Sequence, residues 1–124
     1  MTALITAIEQ ATELLKKVQA STLESAFLRQ IEEDLQTADV HDALKAFQRS
    51  LPPAPDDPDE REAHRKSMAA YADRLNHAAE PYLQELERIK RMRQTLNLDA
   101  LDPVIRAGRT IIHRIHGFTA EIQG

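Results

Sequence analysis

Four prolines fall within seven residues, at Pro52, Pro53, Pro55 and Pro58, and on both sides of them apolar residues recur every three or four positions. Each proline fixes its own φ and lacks an N–H donor, so neither a continuous helix nor an interior strand can pass through this stretch. The chain is thereby divided into two helix-forming lengths joined by an extended or turning connection at 52–58.

Before the break, Leu4, Ile8, Ala11, Leu15 and Val18 follow spacings of 4, 3, 4 and 3, one stripe of a helix that Ile5 and Leu14 widen. Thr2, or Thr6 with Glu9 at capping-box spacing, marks its start. Ser21 with Glu24 predicts a second start, followed by the stripe Leu23, Phe27, Leu28, Ile31 and Leu35. Thr37-Ala38-Asp39 either breaks or bends that helix, with Asp39 placed to cap a run carrying Val40, Leu44, Phe47 and Leu51. This third run must end by Leu51, because prolines follow it.

After the break the signals are stronger. Asp57 is placed as N-cap, Pro58 suits the first helical position, and Asp59 and Glu60 put negative charge at the positive end of the dipole. Met68, Ala72, Leu75, Ala79, Tyr82, Leu86 and Ile89 then keep one face apolar as far as Asn97. A straight helix over 58–96 would be ~58 Å long, roughly twice the width of a domain this size. Pro81 removes one internal hydrogen bond, so a kink there with both halves on the bundle is expected; a projecting arm that meets a partner chain is the alternative. Asp102-Pro103 predicts the last start, ahead of Val104, Gly108, Ile111, Ile115, Phe118 and Ile122. Gly108 costs ~1 kcal/mol against Ala in a helix interior, which reads either as close approach of a neighbouring helix or as neutral tolerance.

A chain of 124 residues with five aromatic residues and many alanines suits close helix packing better than a β-sandwich. The expected fold is a single all-α domain over 1–124, a compact bundle of four to six helices, with a homo-oligomer left open. The absence of cysteine excludes disulfides and thiolate chemistry. Three glycines, Gly108, Gly117 and Gly124, cannot build a phosphate-cradling loop. Ser21, Ser25, Ser50 and Ser67 lack the glycine-flanked turn of a serine nucleophile. Charged residues interrupt the first twenty positions and no apolar run approaches the ~20 residues that span a bilayer, so a cytoplasmic protein without membrane contact is expected.

Charge changes sign along the chain. Residues 1–62 carry 6 Lys/Arg against 13 Asp/Glu, and residues 63–124 carry 10 against 7, formal charges of −7 and +3 within a net −4. Residues 88–116 alone hold seven Lys/Arg against Asp99 and Asp102. Arg106, Arg109, His113 and His116 are spaced 3, 4 and 3 on the side of the last helix away from Ile111, Ile115 and Phe118, and Arg88 and Arg91 crowd the end of the helix before it. These six residues form the candidate partner-binding set.

Three readings compete for that face. The cations complement the negative end of a helix and pair with the acidic first half; or they recognise an acidic protein surface, as a helical adaptor, a secretion-type chaperone or an inhibitor of a larger complex would; or they contact nucleic-acid phosphates, against which stand the acidic total and the scarcity of aromatic residues. A protein-interaction module with neither cofactor nor enzymatic activity is the leading expectation. A metal site or enzyme would need His77 and Glu80 to converge with His113 and His116, in the face of Arg106, Arg109 and Arg114. The acidic run Glu32-Glu33-Asp34 points around its helix and reads as a solvated face.

Overall fold

The computed structural model describes all residues from Met1 to Gly124 and is all-α. Five α-helices follow one another: α1 Thr2–Lys16, α2 Ser25–Gln36, α3 Val40–Ser50, α4 Pro58–Leu96 and α5 Asp102–Gln123, with 3-10 turns at Ala20–Thr22 and Asp99–Leu101. Of the two readings at 37–39, the break is the one found: α2 ends at Gln36 and α3 starts at Val40. Asp39 stands at the N-cap position of α3, but its side chain makes no cap hydrogen bond.

Two of the expected helix starts are made differently. The Ser21–Glu24 capping box does not form, because Ser21 lies in the 3-10 turn, where Thr22 Oγ1 accepts from the Gln19 N–H at 3.0 Å and donates to Lys17 O at 3.0 Å. Buried Val18 ends the first apolar stripe, the turn redirects the chain, and α2 begins only at Ser25. Asp102 likewise does not cap α5, because its carboxylate accepts from Arg93 Nε at 2.9 Å instead. By contrast Asp57 caps α4 as expected, accepting from the Asp59 N–H at 2.8 Å, with Pro58 in the first turn.

The 39-residue α4 runs unbroken through Pro81, which lies on its exposed side together with His77, whose carbonyl the missing N–H would have served. Its buried residues are Met68, Ala72, Leu75, Ala79, Tyr82, Leu86 and Ile89, so both sides of Pro81 pack on the bundle. The excess length is an overhang of the first turns, 58–67, none of which is buried. The proline segment folds back over these turns: Arg61 Nε donates to Pro55 O at 2.9 Å and His64 Nε2 lies 3.1 Å from Pro52 O. The far end of α4 closes at Asn97 in the left-handed region (φ 50°), with the Leu98 N–H on Arg93 O and the Asn97 N–H on Gln94 O. This is a Schellman closure, with asparagine in the place glycine usually takes.

α4 packs along α5 and along α1; α2 packs on α5 and α1, and α3 on α1 and, over a narrower seam, on α5. One apolar core joins all five helices. α4 and α5 approach closely at Gly108, where an added Cβ would sit 2.9 Å from Leu86 Cδ1 and 3.3 Å from the Tyr82 hydroxyl. Close approach is therefore the reason for glycine there. The fully buried Tyr82 hydroxyl uses that approach to donate to Gly108 O at 2.7 Å, and burial raises its pKa well above the ordinary phenol value. No buried side-chain polar atom lacks a partner: Thr12 and Thr119 donate back to Ile8 O and His116 O.

Two substitutions test this contact by denaturant unfolding. Gly108→Ala gains ~1 kcal/mol of helix propensity but overpacks the buried Leu86 and the fixed Tyr82 hydroxyl at ~1–3 kcal/mol, so a net loss of about 1 kcal/mol is expected. Tyr82→Phe is expected to lose ~1 kcal/mol near neutral pH. Because the folded phenol holds its proton and the unfolded one releases it near pH ~10, the stabilisation from Tyr82 is complete below that value and lost above it. Wild-type stability should accordingly fall faster than that of Tyr82→Phe as pH rises beyond about 10. A stabilised Gly108→Ala would contradict the tight approach.

Candidate interaction face

The apolar stripe of α5, Val104, Ile105, Ala107, Gly108, Ile111, Ile112, Ile115, Phe118 and Thr119, is buried. Since α2, α3 and α4 all pack on that side, Arg106, Arg109, His113 and His116 are left exposed on the opposite one. No hydrogen bond or ion pair engages the side chains of Arg109, His113 or His116, and Arg106 has only a through-space partner. That partner is Asp102, whose carboxyl is held below the ordinary aspartate value first by the hydrogen bond from Arg93 and, more weakly, by the charge of Arg106. Asp102 thus contributes stability above its unfolded pKa that is lost as pH falls through the lower, folded one.

The cations at the end of α4 divide by task. Arg88 is half-buried: its Nε donates to Glu85 Oε2 at 3.2 Å, in a pair only 26 % and 20 % exposed, and its Nη2 donates to Leu15 O at 3.1 Å. It thereby adds a second donor to a carbonyl at the C-terminal end of α1, 73 residues away, which also accepts from the Val18 N–H, so this guanidinium is engaged within the fold. Arg93 clamps the α4–α5 connection through Asp99 at 2.7 Å and Asp102 at 2.9 Å. Lys90 pairs with Glu87 at 3.0 Å. Arg91, near the end of α4, is exposed and has no ion-pair or hydrogen-bond partner. The exposed row on α5 is Arg106, Arg109, His113 and His116.

Pairing of the basic half with the acidic half is nearly absent. Glu62–Arg65, one turn apart at 2.6 Å on α4, is the only ion pair between the first 62 residues and the rest. Two of the three acidic residues of α2 are served by neighbouring amides, Gln30 donating to Asp34 at 2.8 Å and Gln36 to Glu32 at 3.5 Å. No three His, Asp or Glu side chains gather in a metal-holding arrangement, so His77, Glu80, His113 and His116 do not form the convergent group a metal site requires. No helix is long and apolar enough to cross a membrane.

One cross-bundle contact lay outside the reach of sequence reasoning. Arg114 Nη1 lies 2.9 Å from His41 Nδ1, joining α5 to α3 across 73 residues. Neither residue belongs to an apolar stripe or a motif, so no spacing signals the pair.

Comparison of the chain with protein-family models, curated proteins and solved structures finds no match.

The division of labour among the arginines is open to measurement. Arg88→Met should lose about 1 kcal/mol of unfolding free energy, the hydrogen bond of a half-buried charged donor discounted for solvent screening, whereas Arg91→Met should stay within about 0.5 kcal/mol of wild type. Equal effects from the two would contradict the assignment.

Proposed function

We propose that this protein is a non-enzymatic interaction module, an adaptor, chaperone or inhibitor of a larger assembly, that docks an acidic protein surface on the outer side of α5. The carrying observation is that Arg106 and Arg109 stand exposed beside His113 and His116 on one helix without an internal ion pair, while the acidic half of the chain leaves the two arginines unneutralised. Exposed cations such as Arg106 and Arg109 accelerate encounter with an acidic partner and fix its register more than they add affinity, at ~0.2–1 kcal/mol each.

The aromatic residues favour protein over single-stranded nucleic acid as the partner. Phe47 stacks edge-on against Tyr71 at 5.4 Å and against Phe118 at 5.8 Å, Tyr82 is fully buried, and Phe27 is half-buried against the core, so no aromatic side chain is fully exposed for base stacking.

The reading is tested by capturing partners from the native cell with the wild-type chain and with the Arg106→Ala, Arg109→Ala double variant, then titrating the purified partner across a salt series. The double variant should keep its helical circular dichroism and bind from a few-fold to ~30-fold more weakly at low salt, a gap that narrows as salt rises. Affinity indifferent to both salt and the substitutions, or capture of nucleic acid in place of protein, would overturn it.

A further inference from the structure

α3 is tied to the bundle less broadly than its neighbours. It rests mainly on α1, meets α5 over a narrow seam, touches α4 through the Phe47–Tyr71 edge contact, and is flanked by the Thr37–Asp39 break and by the proline segment, so neither end continues into another helix. The seam with α5 consists of the Phe47–Phe118 edge contact, the buried Leu44 and the Arg114–His41 hydrogen bond at 2.9 Å.

That hydrogen bond fixes a protonation state. A guanidinium has donors only, so His41 Nδ1 must be the acceptor and carry no proton. The surroundings act in the same sense. Burial lowers the His41 pKa most, followed by Arg114, with Lys45 adding to them and Asp42 opposing. Glu121 of α5 lines the same groove, and α1 presents only Thr6, Ala7, Gln10 and other uncharged groups to the neighbouring Asp42.

We infer that His41 is a proton-operated latch. Neutral, it fastens α3 to α5 through Arg114; protonated, its acceptor becomes a donor on a cation that faces a second cation, and α3 loosens from α5. The state in which α3 is loose binds the proton more readily, so the latch is closed above the ordinary histidine value near ~6.5 and opens as pH falls through it. The surface it guards, Leu44, Phe47 and Phe118, is apolar. The inference stands on the α3–α5 geometry and is independent of whether the outer side of α5 docks a partner.

Hydrogen exchange of the full chain, followed by mass spectrometry at about pH 7.5 and about pH 5.5 and corrected for the intrinsic pH dependence of exchange, tests the latch. In the wild type, α3 amides should open several-fold more often at the lower pH, within the ~tenfold per pH unit that one proton allows, while α1 and the Met68–Ile89 region of α4 keep their protection. His41→Asn supplies an uncharged oxygen acceptor in place of Nδ1 and should abolish the α3 response. Should His41→Asn leave α3 open at both pH values, Arg114→Met decides the matter, since it removes the facing cation and leaves the histidine titratable: a diminished response supports the latch. Equal α3 protection at the two pH values in the wild type, or an undiminished response in these variants, overturns it.

Discussion

The close approach of α4 and α5 at Gly108 is the constraint on which the rest of the bundle depends. With no side chain at that position, Leu86 and the Tyr82 ring settle against the α5 backbone, and the Tyr82 hydroxyl donates to the very carbonyl exposed by the missing Cβ. A hydrogen bond inside an apolar core is costly to lose, since the unpaired group would be desolvated without compensation. The contact therefore fixes rotation as well as distance: with Gly108 facing α4, the positions of Ile111, Ile115 and Phe118 follow inward, and Arg106, Arg109, His113 and His116 follow outward. The candidate face is a consequence of how the core is packed.

Electrostatics in this protein is local. Most ion pairs are one helical turn apart, and the exceptions, Arg93 to Asp99 and Asp102, secure the connection between α4 and α5. Arg88 does the same kind of work at longer range by donating to a carbonyl at the end of α1. The opposite charges of the two chain halves are thus left on the surface. They contribute little to holding the fold together.

Much of the fold was legible because helix burial follows a 3.6-residue period. The seven apolar residues read along 58–96 are the seven buried in α4, and the break after Leu51 follows from proline chemistry alone. Helix starts were less legible. Ser21 and Asp102 have the right residue type for caps, but the decisive events are a 3-10 turn after Val18 and a competing cation at Arg93, which are tertiary and invisible to spacing. Both sides of Pro81 pack on the bundle, as the spacing predicts, while the first turns of α4 overhang beneath the proline segment, held through the carbonyls of Pro52 and Pro55 that no pattern reveals. At the candidate face, spacing identified Arg106, Arg109, His113 and His116 as one exposed row, yet it could not separate Arg88, engaged 73 residues away, from Arg91, which is free.

The central claim, that α4 and α5 touch through Gly108, is tested most directly by nuclear Overhauser effects between the Tyr82 ring protons and the two Gly108 Hα protons in the isotopically labelled chain. The account predicts strong cross-peaks together with a slowly exchanging Tyr82 hydroxyl proton. Absence of these cross-peaks, with a Tyr82 ring that contacts solvent, would contradict it.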